Sequence, residues 1–391
     1  MDFTDSEEEA LWRDECRAWL AENVPRLDDA PDDPVGRAKA WQAIKFDGGF
    51  AKIEWEPEFG GRRGTTMQQI VFNQEQARHK VPPDLFVIGL GFIAPTLRAH
   101  GTDAQRERYL NKLLRGEEVW CQMFSEPGAG SDVASLATSA VLDGDEWVLN
   151  GQKVWTSQAH LADFGEVLCR TDPTVPKHQG ITAFILDLRA PGVTIRPLRQ
   201  ITGNADFNEI FLDDVRVPAT SVIGDVNNGW HVAVTTLMNE RSSLGSSGSS
   251  GGESMALRLA KLARDRGTLD ALTRQRIADI WIRTEIGRYL GMRTLTAALR
   301  GGRPGPEGSV GKLASTKLAV DTGVLAVDIL GAAGVAGDEF KRWQTRFVGG
   351  PGWRLGGGTD EVNRNIVAER VLGLPSEPSN YELVPWRDLP R

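Results

Sequence analysis

Two short stretches between Trp120 and Ser157 combine residue types that could bind a charged or planar ligand. The first breaks from an apolar run into Ser125-Glu126-Pro127-Gly128-Ala129-Gly130-Ser131-Asp132. Two glycines beside a small hydroxyl let backbone N–H groups approach a phosphate or another anion closely. The second stretch ends in Trp155-Thr156-Ser157, a flat aromatic surface beside two hydroxyl groups. Together they suit a planar ring with a polar edge and a polyol-phosphate tail, which describes a flavin.

The glycine loop also has a purely structural interpretation. It does not match a dinucleotide-binding fingerprint, because Val133 occupies the place of the third glycine and no helical pattern clearly begins there. A simple turn between two elements would use the same residue types. The loop alone therefore leaves ligand binding and an ordinary turn open.

A second group of candidate residues lies on the helix predicted to begin near Gly229. Its apolar stripe is formed by Trp230, Val234, Leu237 and Leu244. Arg241 falls within this stripe and Glu240 falls on its edge. Charges on a buried helix face are costly unless they are paired or used. The sequence therefore allows either a structural ion pair or a functional carboxylate at Glu240.

The elements before these residues are predicted to be helices. Ser6 and Glu9 form a capping box at the start of the first helix, which Pro25 ends. Residues 27–36 are rich in Asp and Pro and are predicted to be a surface loop. Further helices are predicted at Trp41–Gly49, Thr66–Lys80, Leu85–His100 and Asp103–Arg115. The first domain, residues 1–118, is therefore predicted to be all-helical.

The pattern then changes to short alternating runs separated by Gly, Pro and Asp, which is typical of a compact β-domain. Strands are predicted at Glu118–Phe124, Ser139–Leu142, Trp147–Trp155, Phe164–Arg170, Thr182–Leu188, Val193–Pro197 and Glu209–Val217. After Asp225 helices return, at Gly229–Leu244, Thr273–Leu299 and Ser309–Leu330, with Thr359 as the N-cap of another. We expect an α+β protein with domain boundaries at 1–118, 119–225 and 226–391.

Composition excludes several classes of protein. The chain has 391 residues and a net charge of −8, which gives no indication of nucleic-acid binding. The cysteines Cys16, Cys121 and Cys169 have neither paired nor metal-type spacing, which fits a reducing cytoplasm. The acidic N-terminus is unlike a secretory signal, and no apolar run is long enough to span a membrane. The five histidines are scattered, so no metal site is predicted.

Four blocks in order resemble the acyl-CoA dehydrogenase family over nearly the whole chain. The glycine loop Ser125–Asp132 and the segment Asn150–Ser157 are similar to the family signature. Asn208–Pro218 is similar to the strand that closes the family's middle domain, and Gly357–Ala368 to its C-terminal active-site loop and helix. The resemblance implies an N-terminal helical domain, a middle β-barrel-like or sandwich domain, and a C-terminal four-helix bundle.

The resemblance also implies FAD-dependent α,β-dehydrogenation of an acyl-CoA thioester, in which a glutamate base takes the α-proton. That base most often lies just before the Gly-Thr of the C-terminal loop, where this chain has Gly357. A minority of the family carries it on the first C-terminal helix, just before an arginine, and Glu240-Arg241 matches that arrangement. Glu240 is therefore the expected base, and the backbone N–H at Gly357 is expected to bind the thioester oxygen.

The remaining site residues are carried over from the family motif by motif. The FAD contacts expected from the resemblance are Gln122, Phe124, Ser125, Gly130, Ser131, Trp155, Thr156, Ser157, Gly358, Thr359 and Glu361. The substrate contacts expected are Ser131, Met238 and Arg241. Two family elements that usually reach a neighbouring subunit's FAD are not matched. An Arg-x-x-Phe element is absent between Leu244 and Arg274, and Asp328 stands where a glutamine is common.

The resemblance implies a homo-oligomer, a tetramer or dimer, with an electron-transferring flavoprotein as acceptor. A related acyl-CoA oxidase or flavin monooxygenase would have the same fold. A non-catalytic subunit of a mixed oligomer is a further alternative, since the common base is missing. Gly248–Gly252 fits a serine-hydrolase elbow but lacks the preceding strand. Gly245–Gly252 is therefore predicted to be a flexible loop, or alternatively a segment whose small side chains allow close helix packing or leave space for a bulky acyl group. Gly331–Gly334 is either a phosphate-binding turn or the end of a helix.

Overall fold

The computed structural model describes residues 5–245, 254–299, 305–378, 381 and 383–390, without the side chains of 241–245, 295, 298 and 299. The chain forms two compact units. The first comprises Met1–Gln200, Ala205–Glu240 and Glu377–Arg391, and the second Ile201–Asn204 and Arg241–Ser376. Of the predicted flexible loop Gly245–Gly252, every residue after Gly245 lies outside the described residues.

Local capping signals begin most helices of the first unit. The helices that precede the sheet are α1 (Glu7–Asn23), α2 (Pro34–Asp47), α3 (Thr66–Gln76), α4 (Ala94–His100) and α5 (Asp103–Arg115). The predicted capping box is confirmed, because Ser6 N donates to Glu9 and Glu9 N donates to the Ser6 hydroxyl. Thr65 and Thr102 begin α3 and α5 with the same motif.

The prediction of a loop over residues 27–36 is wrong at both ends. A 3₁₀ helix covers Val24–Asp29, and α2 begins at Pro34, seven residues before the predicted start. Asp33 caps α2 by accepting a hydrogen bond of 2.7 Å from Gly36 N. Proline at the first helical position is favourable because its missing N–H has no helical partner there.

An eight-stranded mixed sheet follows. Its strands are β1 (Trp120–Met123), β2 (Ser139–Asp143), β3 (Glu146–Ser157), β4 (Phe164–Arg170), β5 (Ile181–Asp187), β6 (Val193–Leu198), β7 (Phe207–Pro218) and β8 (Val222–Ile223). The strand order is β6-β7-β3-β2-β4-β5-β8, and β1 pairs in parallel with β4. All seven predicted strands are present, and only the two-residue β8 was not predicted.

The sheet separates two apolar cores, and β4 contributes to both. Val167 and Cys169 belong to a core built almost entirely from strands β1 to β5 and β7, which agrees with the expected barrel-like domain. Leu168, on the other face, belongs to a core shared with α4, α5 and α6 (Gly229–Gly245). Glu166 lies two residues before Leu168 and therefore shares its helical-side face of β4. Gln122 shares a face of β1 with Trp120 in the same way.

The second unit is a helical bundle around α9 (Gly308–Leu330). The other helices are α7 (Met255–Asp265), α8 (Ala271–Leu299), α10 (Lys341–Trp353) and α11 (Asp360–Ile366). Its core contains Leu259, Ile277, Ile280, Leu325 and Ile329. Helices α7 and α10 were not predicted, and α10 contains Pro351. Gly331–Gly334 forms a 3₁₀ turn directly after α9. Within the described ranges, no helix is long and apolar enough to cross a membrane.

Candidate functional site

The glycine loop after β1 is closed by a pair of backbone hydrogen bonds. Glu126 N donates to Ala129 O, and Ala129 N donates to Glu126 O, both at 3.0 Å. A Cβ added to Gly128 or Gly130 would meet open space, and neither glycine has a positive φ. Neither packing nor backbone conformation within the chain therefore requires glycine at these positions. A loop without side chains leaves its backbone accessible to a ligand.

A buried ion pair joins this loop to the other half of the signature. Lys153 is fully buried, and its Nζ lies 2.7 Å from Glu126 Oε1 and 3.3 Å from Phe124 O. Glu126 also accepts hydrogen bonds from the backbone N–H groups of Ala137 and Thr138. Burial acts to raise the pKa of Glu126, but Lys153 and these hydrogen bonds hold the pKa below its ordinary value.

Strand β3 carries an irregularity next to this ion pair. Its pairing with β7 shifts register between Lys153 and Thr156, and Trp155 has a φ of +60°. Trp155 is 60% exposed, and its ring lies edge-on to Phe207 at a centroid distance of 6.0 Å. Positive φ is strained for a bulky residue and is common where a bulge redirects a side chain. The bulge thus presents an aromatic surface outward.

The three residues Trp155-Thr156-Ser157 do not share one surface as the sequence suggested. Thr156 points inward and is 1% exposed, and its hydroxyl has no hydrogen-bond partner within the described residues. Its carbonyl accepts a hydrogen bond from the buried Asn208 side chain at 3.0 Å. Ser157 is only partly buried. The structure therefore leaves Trp155 and Ser157 accessible and makes the Thr156 side chain part of the interior.

The other predicted FAD contacts near β1 have different surroundings. The Phe124 side chain packs in the core and is 4% exposed, so only the backbone of this residue is available for a contact with FAD. Ser125 is partly buried and its carbonyl accepts a hydrogen bond from Val154 N at 2.9 Å. Ser131 is exposed. Gln122 is the residue of this group that contacts another candidate, because its Nε2 lies 3.4 Å from Glu240 Oε2.

The buried face of α6 differs from the predicted stripe. Val234 and Met238 are exposed, whereas Val232, Ala233 and Thr236 are buried. Trp230 and Leu237 pack against the helical-side core as predicted. The line Val232–Thr236–Glu240, at four-residue spacing, faces the sheet. Glu240 follows this line at the same spacing but is only partly buried, and the side chains of Arg241 and Leu244 lie outside the described residues.

Behind Glu240 lies a carboxyl group that the sequence analysis missed. Glu166 on β4 is completely buried, and its two carboxyl oxygens lie 2.9 and 3.0 Å from Thr236 Oγ1. Among the described residues no cation lies within ion-pair distance of it. Burial raises the pKa of Glu166 to about 8, although the bond to Thr236 opposes the shift. The sequence did contain an indication of this group, because Glu166 is an acidic residue within the apolar run Phe164–Arg170.

In the second unit, the loop from Arg354 to Asp360 is closed at its base. Arg354 Nε lies 2.6 Å from Asp360 Oδ2, and Asp360 N donates to Arg354 O at 3.1 Å. Gly357 and Gly358 have φ values of +69° and +85°, which side-chain-bearing residues rarely adopt. Lys312 Nζ donates to Gly358 O at 2.7 Å. The loop thus keeps a fixed backbone shape without a side chain at Gly357.

The helix after this loop begins as predicted. Thr359 is its N-cap, accepting a hydrogen bond of 3.2 Å from Val362 N. Asn363 reaches back to the carbonyls of Gly358 and Thr359, at 2.9 Å each. Glu361 is 73% exposed and pairs with Arg364 on the surface, so its proposed contact with FAD stays a prediction.

We predict that Glu126→Gln destabilises the protein and loosens the glycine loop. The substitution leaves the Lys153 charge buried without its partner, which costs about 3–5 kcal/mol. Urea unfolding measures the cost, and Glu126→Gln combined with Lys153→Met should recover part of it. Asp143→Asn, which breaks an exposed carboxylate–arginine pair on the same sheet, is the matched control and should change stability by about 1 kcal/mol or less. Equal effects of the two single variants would contradict the prediction.

We also predict a pH-dependent effect of Glu166→Gln on stability. Folded Glu166 keeps its proton up to a pKa of about 8, whereas the unfolded residue ionises near 4.5. Between these values the unfolded chain releases a proton that the folded chain holds, so Glu166 lowers wild-type stability as pH rises. Relative to wild type, Glu166→Gln should therefore gain melting temperature steadily from pH 5 to pH 8. A difference that does not change with pH would disprove the assignment.

Three family models match the chain in order. They are the acyl-CoA dehydrogenase N-terminal domain over residues 6–117, the middle domain over 121–215, and the C-terminal domain over 227–372. Acyl-CoA dehydrogenase IpdE1 of Mycobacterium tuberculosis (strain ATCC 25618 / H37Rv) is 38% identical over 380 residues, which cover 94% of this chain and 98% of IpdE1.

Solved structures have the same fold over almost their full length. The Tcur3481-Tcur3483 steroid ACAD is 30% identical with a TM-score of 0.81, covering 96% of this chain and 100% of that chain. A chain of the ChsE4-ChsE5 complex from Mycobacterium tuberculosis is 27% identical with a TM-score of 0.76, at 96% and 100% coverage. These matches confirm the α+β fold and the resemblance of the four blocks. The chain belongs to the acyl-CoA dehydrogenase family and is an FAD-dependent oxidoreductase of acyl-CoA thioesters.

Proposed function

We propose that Glu240 is the general base that removes the α-proton of the acyl-CoA. The observation that carries this proposal is its position on the sheet-facing line of α6, with its carboxylate against Gln122 Nε2 at 3.4 Å. Gly357 stands at the position where the family most often has its base. A base must be held in a defined orientation to take a proton efficiently, and the contact with Gln122 supplies such a constraint.

The residues around the glycine loop fit FAD. Trp155 projects from a bulge with a strained backbone, and the side-chain-free Gly128 and Gly130 lie beside open space. An exposed indole suits the face of a flavin ring, and open backbone suits a phosphate. When bound, FAD supplies the acceptor for the β-hydride. We assign its contacts to Gln122, Phe124, Ser125, Gly130, Ser131, Trp155, Ser157, Gly358, Thr359 and Glu361, with Thr156 contributing through its backbone.

We assign the stabilisation of the developing enolate to the backbone N–H of Gly357. Removing an α-proton places negative charge on the thioester oxygen, and a fixed N–H donor costs no reorganisation when that charge appears. The closure of the loop by Arg354 and Asp360 supplies the rigidity. Ser131, which is exposed on the glycine loop, and Met238, which is 42% exposed on α6, are assigned to substrate binding, together with Arg241.

For the substrate class we propose a CoA thioester whose acyl group carries a fused-ring system. Support comes from the 30% identity to a protein described as a steroid ACAD, over nearly the whole of both chains. Gly356, Gly357 and Gly358 give the loop no side chains, which leaves volume for a bulky acyl group. The acceptor that we propose is an electron-transferring flavoprotein.

We propose an oligomer as the working form. A homotetramer or homodimer is the simplest arrangement, and pairing with a second member of the family is favoured by two similar structures that are described by two protein names each. Co-expression with a neighbouring gene of the family, followed by mass measurement of the intact assembly, distinguishes the two arrangements.

We predict that Glu240→Gln keeps FAD and binds acyl-CoA but is reduced by substrate about 10²–10⁴-fold more slowly, the range expected for loss of a general base. Anaerobic stopped-flow measurement of flavin bleaching gives the rate constant. Glu107→Gln, an exposed substitution of the same chemistry on α5, is the control and should match wild type. Wild-type rates in Glu240→Gln would exclude Glu240 as the base.

The same assay applied to wild type tests the substrate class. Steroid side-chain CoA thioesters should bleach the flavin faster than butanoyl-CoA or hexadecanoyl-CoA, because only they fill a site built for a ring system. Slow reoxidation by air is expected for a dehydrogenase. Faster bleaching by straight-chain thioesters would contradict the proposed substrate, and rapid reoxidation would indicate an oxidase. Bound flavin that no thioester bleaches would indicate a non-catalytic subunit.

A further inference from the structure

We propose that Glu166, Thr236 and Thr96 form a buried hydrogen-bonded anchor that fixes the position of helix α6 along its axis and thereby orients Glu240. The anchor is defined as these three side chains. The proposal deepens the proposed function, because it rests on Glu240 being the base. Glu166 and Thr236 are positioning residues in it, since they act on the reaction through Glu240.

The anchor joins three elements at one point. Thr236 Oγ1 on α6 lies 2.9 Å from Glu166 Oε1 on β4 and 2.9 Å from Thr96 Oγ1 on α4. All three side chains are completely buried, so water does not compete for these hydrogen bonds. Directional bonds from a sheet and a second helix therefore converge on one hydroxyl of α6.

The anchor and Glu240 are in register with two neighbouring strands. Gln122 on β1 and Glu166 on β4 are paired positions of the parallel ladder. Gln122 contacts Glu240, and Glu166 contacts Thr236 one helical turn earlier. Two adjacent strands thus hold two successive turns of the same helix face. A change at the anchor is transmitted to Glu240 by a single turn of rigid helix.

The Thr236 hydroxyl sets the direction of the central hydrogen bond. It donates to the carboxyl group of Glu166, 2.9 Å from Oε1 and 3.0 Å from Oε2. The Thr236 oxygen lies 2.9 Å from that of Thr96, and the Thr96 oxygen lies 2.8 Å from Phe92 O. A glutamine at 166 keeps an acceptor in its amide oxygen, which makes Glu166→Gln the conservative variant.

The apolar contacts of α6 cannot supply the same constraint. Val232 and Ala233 pack into the helical-side core, but apolar burial is non-directional and tolerates sliding along the helix axis. The Gln122–Glu240 contact is long at 3.4 Å and would be lost by a shift of a fraction of the roughly 1.5 Å rise per residue. The directional bonds of the anchor, together with the bond of 2.8 Å between His100 Nε2 on α4 and Thr235 Oγ1 on α6, keep this contact in place.

The test compares Thr236→Val and Glu166→Met with Glu166→Gln and with Thr322→Val. Thr322 is a buried helical threonine of the second unit whose hydroxyl, among the described residues, bonds only its own helix, at Leu318 O, so it is the matched control. Thr236→Val and Glu166→Met should keep FAD and reduce the rate of flavin bleaching about 10–100-fold, as expected for a displaced catalytic group. Glu166→Gln and Thr322→Val should stay within about threefold of wild type.

A second readout does not depend on activity. Hydrogen exchange followed by mass spectrometry should show faster exchange of α6 backbone amides in Thr236→Val than in wild type or Thr322→Val. If Thr236→Val and Glu166→Met bleach and exchange as wild type does, the anchor proposal is overturned. If either fails to fold, Thr96→Val, which removes only the outer member, replaces it in both measurements. Full activity of Glu240→Gln would instead overturn the base assignment, and the exchange data would still decide whether the anchor fixes α6.

Discussion

The buried ion pair between Glu126 and Lys153 is the interaction on which the candidate FAD site depends. It joins the glycine loop to strand β3, two segments that are separate in sequence and that each carry half of the expected ligand contacts. A buried lysine is costly alone, so the pair is stable only when both segments are in place. The exposed ring of Trp155 and the open loop at Gly130 keep their mutual arrangement because the buried pair of Glu126 and Lys153 connects the two segments beneath them.

The reaction places a different demand on helix α6. A carboxylate that takes a weakly acidic proton needs a fixed orientation more than it needs burial. In this chain the helix is held by directional bonds from β1, β4 and α4, through Gln122, Glu166 and Thr96. With Glu240 as the proposed base, the C-terminal loop is left to act through its backbone at Gly357. The two proposed roles are consistent with each other chemically, since the family's reaction needs both a base and an oxyanion donor.

Local signals in the sequence predicted most of the fold. The capping box at Ser6 and the strand Phe164–Arg170 have the same bounds in the structure because their determinants lie within a few residues. Helix α10 was missed because Pro351 and its glycine neighbours disfavour a helix that packing nevertheless stabilises. The face of α6 was misassigned because Thr236 is polar and buried only through its partner on a distant strand. Long-range polar pairs of this kind leave no periodic trace in a single sequence.

The most direct test of Glu240 as the base is proton exchange at the α-carbon of a thioester that cannot be oxidised further. Dimethylbutanoyl-CoA with both methyl groups on the β-carbon has α-hydrogens but no β-hydrogen, so incubation in D₂O isolates the step assigned to Glu240. The wild-type enzyme should incorporate deuterium, and Glu240→Gln should do so about 10²–10⁴-fold more slowly, with FAD still bound. Incorporation at the wild-type rate in Glu240→Gln would contradict the assignment of Glu240 as the base.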